Sequence, residues 1–269
     1  YILFCHFIDI KPIMKNTPFD IIVNYLSKFQ GKSIDNEKIK DKLQNILDKE
    51  YTESKMYKMI YYLKIRGYLV NLKKNLFFVK NPADEPDEET LANKLYWTIL
   101  NKHCKDFIEG KRYIGGLKAL ELVSLNYSIP DEILLVNNKK QGTETILFEK
   151  KALLKTYQNK SKNLFSIFFK YTQQISIEKY KFNIAKPELA ILETLYNTSP
   201  LQKAYGEELI KKWLKKNKKN FNFQVLETLL KESKHNSSIN KLAQLAGAID
   251  SELSEKIKTL IKRYGYVMY

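Results

Sequence analysis

At 269 residues and 31.7 kDa, the chain fits one large domain or two ordinary ones, and its 44% hydrophobic content is enough to bury cores, which excludes disordered and fibrous classes. Lys and Arg number 46 against 30 Asp and Glu, a net charge of +16, so a polyanionic partner is expected, nucleic acid before membrane. Only Arg66, Arg112 and Arg263 are arginines; the lysine excess, with many Asn, Ile, Tyr and Phe, also matches an A/T-rich coding bias, so the position of the charge must decide.

The apolar opening, Tyr1 to Ile10, is broken by His6 and Asp9 and is too short to span a bilayer. It has no basic stretch and no small-residue cleavage site, so it is not read as a signal peptide, and Met14 is taken as the natural start. Two cysteines, Cys5 and Cys104, with no Cys-x-x-Cys, point to a reducing, cytoplasmic setting.

Phe19, Ile22, Val23, Leu26 and Phe29 recur at spacings of three and four, as one buried helix face requires. A second helix starts at Asp35, a suitable N-cap, and carries Ile39, Leu43, Ile46 and Leu47. A third runs from Thr52 to Arg66 on a stripe of Met56, Met59, Ile60 and Leu63, and Gly67 stops it. Tyr68 to Leu72 and Leu76 to Val79 are β-like runs around Lys73-Lys74-Asn75, which predicts a hairpin.

Three helices followed by a basic hairpin is the order of a winged helix-turn-helix, whose third helix enters the major groove while the wing touches the backbone. Ser54, Lys58 and Tyr61 lie opposite the apolar stripe of the third helix, with Lys55 and Tyr62 beside them, and their groups can donate to phosphates and base edges. Lys73 and Lys74 at the hairpin tip suit phosphate contacts. The competing reading is a solvated helix face and an ordinary lysine-rich turn.

Asn81-Pro-Ala-Asp-Glu-Pro-Asp-Glu-Glu89 holds two prolines and five carboxylates in nine residues and reads as a domain boundary ahead of a helix from Leu91 to Phe107. Arg112 to Asn126 contains the pair Gly115-Gly116; Ile133 to Val136 is a strand; Thr145 to Phe148, Phe165 to Tyr171 and Ile175 to Ile184 complete a small sheet. A buried helix starts at Pro187, and helices at 206–216, 224–234, 239–246 and 251–264 end the chain. The expected fold is therefore α+β: a winged helix at 14–80, an acidic linker at 81–90, a mixed domain at 91–200 and a basic helical tail at 201–269. Net charge follows this division, at +7 for residues 1–80, −4 for 81–110, +1 for 111–150 and +12 for 151–269.

The winged-helix end at Leu63 to Val79, then Tyr113-Ile-Gly-Gly-Leu-Lys-Ala-Leu-Glu-Leu122, Ile129-Pro130 with its strand, and Lys186-Pro-Glu-Leu-Ala-Ile-Leu192 together resemble the AbiEi family of antitoxins and transcriptional regulators. The likeness lies in the order and spacing of short motifs between about residues 19 and 198. It implies an antitoxin-like second domain, autorepression through promoter inverted repeats in double-stranded DNA, and a nucleotidyltransferase-like toxin as functional partner, with no stable complex required. The residues themselves nominate no catalytic site and no cofactor, and no membrane partner is expected.

Gly115-Gly116 before a helix invites a nucleotidyltransferase or RNA-processing reading, but the strand Ile133 to Val136 carries no carboxylate for a metal, and the pair also suits a tight turn at a helix start. Cys5-His6 with His103-Cys104 lacks zinc-site spacing, and no nucleophilic triad or phosphate-loop motif is present. Lys211, Lys212, Lys215, Lys216, Lys218 and Lys219 form either a second phosphate-binding face or a solvated helix end favoured by the helix dipole. A non-catalytic protein-interaction module is the remaining alternative.

Overall fold

The computed structural model describes residues 17–46, 52–83, 88–108, 110–138, 144–148, 150–155, 163–197, 200–232 and 235–265. Cys5, His6, Met14 and the acidic core of the boundary segment, 84–87, lie outside them. The chain is α+β and divides into two units, Tyr1–Glu88 and Glu89–Tyr269, the division falling within the acidic stretch.

The first unit is built from α1 (Pro18–Ser27), β1 (Ser33–Asp35), α2 (Asn36–Ile46), α3 (Glu53–Ile65), β2 (Leu69–Lys73) and β3 (Leu76–Val79). Thr17 starts α1 with a reciprocal capping box, its hydroxyl oxygen accepting from the Asp20 N–H at 3.2 Å while the Asp20 carboxylate accepts from the Thr17 N–H at 2.9 Å. Ile22, Leu26, Ile39, Leu43, Ile60 and Leu63 meet Ile34, Leu69, Phe77 and Val79 in one closed core. The sheet order is β1-β3-β2, all antiparallel. β1 is absent from the sequence reading because three residues with a single apolar side chain, Ile34, show no periodicity.

The second unit holds a six-stranded mixed sheet in the order β6-β7-β5-β4-β9-β8. Its strands are β4 (Arg112–Gly115), β5 (Glu132–Asn137), β6 (Glu144–Leu147), β7 (Lys150–Lys155), β8 (Thr172–Ile177) and β9 (Tyr180–Ala185). β5 runs parallel to β7, and β4 parallel to β9; the other neighbours are antiparallel. The helices are α4 (Glu88–Phe107), α5 (Gly116–Val123), α6 (Leu164–Phe169), α7 (Pro187–Asn197), α8 (Pro200–Asn217), α9 (Phe223–Glu232), α10 (Asn236–Gly247) and α11 (Ser251–Arg263).

The structure departs from the sequence pattern at three places. Phe165 to Tyr171 is not a strand: Asn163 caps a helix there by accepting from the Ser166 N–H at 3.1 Å, and Phe165 and Phe168, three apart, are buried, so capping and burial override the β preference of phenylalanine. Ile175 to Ile184 is two strands turning at Glu178, whose φ is 53°. Residues 201–269 are not a separate tail, because α8 packs on α5 and α7, α9 on α6 and α7, and α10 on α7 and α11.

α7 is the pillar of this unit, with Glu188 to Thr194 all buried. Beside it, His235 is buried against Phe168 at 6.1 Å and Tyr196 at 5.4 Å. Burial first, and then the Lys155 ammonium, push its pKa down to about 4. Between that value and about 6.5 the unfolded chain binds a proton that the folded chain refuses, so stability is lost as pH falls through this window. The expected loss is about 3 kcal/mol between pH 7 and pH 4, read from urea denaturation, and His235→Phe should remove this component.

Candidate nucleic-acid interface

α3 is fixed at both ends by its own sequence. Thr52 provides the extended N-cap residue and Glu53 sets a carboxylate in the first turn, where the helix dipole favours it. At the other end Gly67 adopts φ 75°, and the N–H groups of Tyr68 and Gly67 donate to the carbonyls of Leu63 and Lys64, both at 2.9 Å, completing a Schellman motif.

Packing Ile60 and Leu63 inward with Met56 and Met59 beside them turns the opposite face of α3 to solvent. Ser54, Lys55, Lys58, Tyr61 and Tyr62 are all exposed on it, as the periodicity predicts. Tyr57, 52% exposed, belongs to the same face and was missed; its spacing of four from Tyr61 is the signal that would have found it. Tyr61 and Tyr62 are 57% and 43% exposed with ring centres 6.1 Å apart, so the face carries aromatic surface that folding has not used. Lys40 of α2 joins it, donating to the Tyr57 hydroxyl at 3.4 Å and lying 3.7 Å from Glu53. That hydrogen bond holds Lys40 above the ordinary lysine range, so it stays charged.

The hairpin differs from expectation at Lys73. The β2–β3 register shifts between Asn71 and Lys73, which places Lys73 opposite Leu76 with 7% exposure, whereas Lys74 is exposed. Lys73 is thus not a tip residue; the bulge turns it into the sheet. Asn75, with φ 62°, forms the tight turn, and its carbonyl accepts from the Asn36 N–H at 2.9 Å, tying the tip to the start of α2. If the hairpin touches phosphate, Lys74→Ala is expected to lower the slope of log affinity against log salt by about 0.9, and Lys73→Ala to leave it unchanged, measured by salt titration of DNA binding.

The lysine cluster of the second unit is split. Trp213 and Leu214 are buried, Lys212, Lys215, Lys216 and Lys219 are exposed and Lys211 is half-buried. Lys218 is matched by Asp250, the N-cap residue of α11, at 2.6 Å, which pushes the lysine pKa up and the Asp250 pKa down. Asp250 takes Lys218 out of any extended cationic stripe.

Gly115 and Gly116 occupy the turn from β4 into α5, with Gly116 at φ 57°. The carboxylate of Glu193, fully buried on α7, accepts from the Gly116 N–H at 2.9 Å and from the Tyr113 hydroxyl at 2.7 Å. The Gly116 N–H at this turn is therefore already given to a protein acceptor. Among the described residues there is no group of three or more His, Cys, Asp or Glu side chains placed to hold a metal. His103 and Cys104 are both buried on α4, and burial pushes the Cys104 thiol up to about 11.

No helix among the described residues is long and apolar enough to cross a membrane. No protein-family model and no curated protein matches the chain. The chain is similar to the solved structure of the RV2827C protein from Mycobacterium tuberculosis, at 12% identity and a TM-score of 0.49, over 90% of this chain and 80% of that chain.

Proposed function

We propose that the first unit is a winged helix-turn-helix that binds double-stranded DNA, and that the chain is a non-enzymatic transcriptional regulator. The observation that carries this reading is the exposed face of α3, where Ser54, Lys55, Tyr57, Lys58, Tyr61 and Tyr62 stand clear of a core already closed behind them. Hydroxyl and ammonium groups on one helix face suit phosphates and base edges, and the sheet order β1-β3-β2 suits a wing. Lys55, Lys58 and Lys74 contribute the charge, and Lys73 is left out of the interface.

The AbiEi-like order of motifs supports a further step within the same proposal. The regulator would be the antitoxin of a toxin–antitoxin pair, repressing its own operon at promoter inverted repeats. Its second unit would counter a nucleotidyltransferase-like toxin without forming a stable complex. A palindromic operator would demand two copies of the first unit at the two half-sites. The test is fluorescence anisotropy with the DNA upstream of the chain's own gene, in excess non-specific competitor. Binding that survives competitor and weakens with salt supports the reading; equal affinity for unrelated DNA would reject it.

A further inference from the structure

The second unit contains a cavity that the DNA-binding reading does not use. Parallel strands β4 and β9 share one registered pair, Ile114 with Ile184. Before that pair the Asn183 side-chain amide reaches across to the Arg112 carbonyl at 3.5 Å. A cavity of about 290 Å³ opens here, between the two strands and the C-terminal part of α4. This is at the low end of small-molecule sites, roughly 300 to 1,000 Å³, and suits one compact ligand.

Its charged side chains are all cationic: Lys111, Arg112 and Lys181 line it, and no carboxylate does so among the described residues. Arg112 is already positioned, donating from Nη1 to the carbonyls of Ile108 at 2.9 Å and Gly110 at 3.4 Å. Those carbonyls follow the end of α4 and account for a cation at Arg112. Lys111 and Lys181 are exposed and add two further ammonium groups to the lining, with no carboxylate among the described lining residues to neutralise them. The Cys104 thiol in the cavity wall is held neutral by burial, so it adds no competing negative charge.

The rest of the lining is apolar and aromatic. Phe182 is 7% exposed and backed by Trp97 at 5.7 Å, while Phe169 is half-buried with the Lys111 ammonium 5.4 Å from its ring centre. A bare inorganic anion would leave these rings unused, whereas a planar base with a phosphate would use both kinds of surface. We propose that this cavity binds a mononucleotide, its phosphate among Lys111, Arg112 and Lys181 and its base against Phe169. The shared chemistry is a phosphorylated nucleoside, whether free or at the 5′ end of a strand.

The test is equilibrium dialysis of the full chain against the four ribonucleoside monophosphates, a 5′-phosphorylated dinucleotide, inorganic phosphate and an unphosphorylated nucleoside. At least one phosphorylated nucleoside should bind at one site per chain, about tenfold or more tighter than phosphate or nucleoside alone. Tighter binding of the monophosphate assigns a free nucleotide, and tighter binding of the dinucleotide assigns a strand end. Lys111→Ala with Lys181→Ala should lower that affinity about a hundredfold, roughly tenfold for each charge-assisted contact. Phe169→Leu should lower it about tenfold while leaving phosphate binding unchanged. Lys28→Ala with Lys32→Ala, the same charge loss at two exposed positions of the first unit, should have no effect, and circular dichroism should show all variants folded. No binding of any phosphorylated nucleoside at millimolar concentration would overturn the proposal. So would phosphate binding as tightly as the nucleotide, or an affinity untouched in the Lys111 and Lys181 variant.

Discussion

Replacing Lys58 and Tyr61 together by alanine is expected to weaken binding to the upstream DNA about a hundredfold, with no change in melting temperature. In the proposed interface each side chain supplies one polar contact, and the loss of a hydrogen bond to a charged partner is worth roughly tenfold in affinity. Lys58 is exposed and Tyr61 is 57% exposed, whereas the inward face is made by Ile60 and Leu63, so the substitutions take nothing from the core. Anisotropy titrations at one fixed salt concentration, with thermal melts alongside, check both halves of the expectation. Tyr61→Phe separates the two contributions of tyrosine: retained affinity would mean the ring stacks or packs, and lost affinity would mean the hydroxyl donates.

The turn that the glycine pair builds is sensitive to added volume. Gly115→Ala should destabilise the second unit by about 3 kcal/mol, because overpacking a filled site forces backbone or side-chain shifts. A Cβ at Gly115 would collide with the Glu193 Oε2 and lie 3.2 Å from the Leu134 side chain. Gly115 itself has φ −110°, so the cost is steric and does not come from backbone strain. Glu193→Ala should cost a similar amount, about 3 kcal/mol, by opening a cavity and removing the buried acceptor of the Gly116 N–H and the Tyr113 hydroxyl. The double variant should be less destabilised than the sum by about 1 kcal/mol or more, since the alanine methyl then has room. Urea denaturation followed by tryptophan fluorescence measures the cycle, and strict additivity would show that Glu193 and Gly115 do not compete for the same space.

Much of the first unit was legible because its signals are local. Helix α3 announced itself through Met56, Met59, Ile60 and Leu63 and stopped at Gly67, and the structure places its ends at Glu53 and Ile65. What escaped depended on pairing. β1 exists because Ser33 to Asp35 finds Phe78 to Leu76 of β3, and β7 is a central strand because β5 and β6 flank it. Neither Ser33-Ile-Asp35 nor Lys150-Lys-Ala-Leu-Leu-Lys155 alternates well enough to show this alone.

The α5 end shows the same limit. Leu125 takes φ 63° in a position that usually announces itself with glycine, and the Asn126 N–H closes the turn on the Glu121 carbonyl at 2.9 Å. Lys118, buried beside it, donates to Glu121 at 2.7 Å and to the Asn126 and Ser128 carbonyls at 3.2 and 2.6 Å, which holds that loop in place. No spacing rule places a lysine inside a core, and burial keeps its pKa below the ordinary value. At the candidate interface the residue types on α3 were legible from periodicity, while the inward turn of Lys73 and the capture of Lys218 by Asp250 required the folded chain.

The proposed role of the exposed face of α3 is the reading of DNA. It is tested most directly by measuring the affinity of the full chain for its own upstream DNA and for a scrambled duplex of equal length, each across a range of salt. Tighter binding to the upstream sequence is expected at every salt concentration, a preference that Lys58→Ala with Tyr61→Ala abolishes and Lys211→Ala with Lys212→Ala leaves unchanged. Equal affinity for the two duplexes, or a preference unchanged by the α3 substitutions, would contradict it.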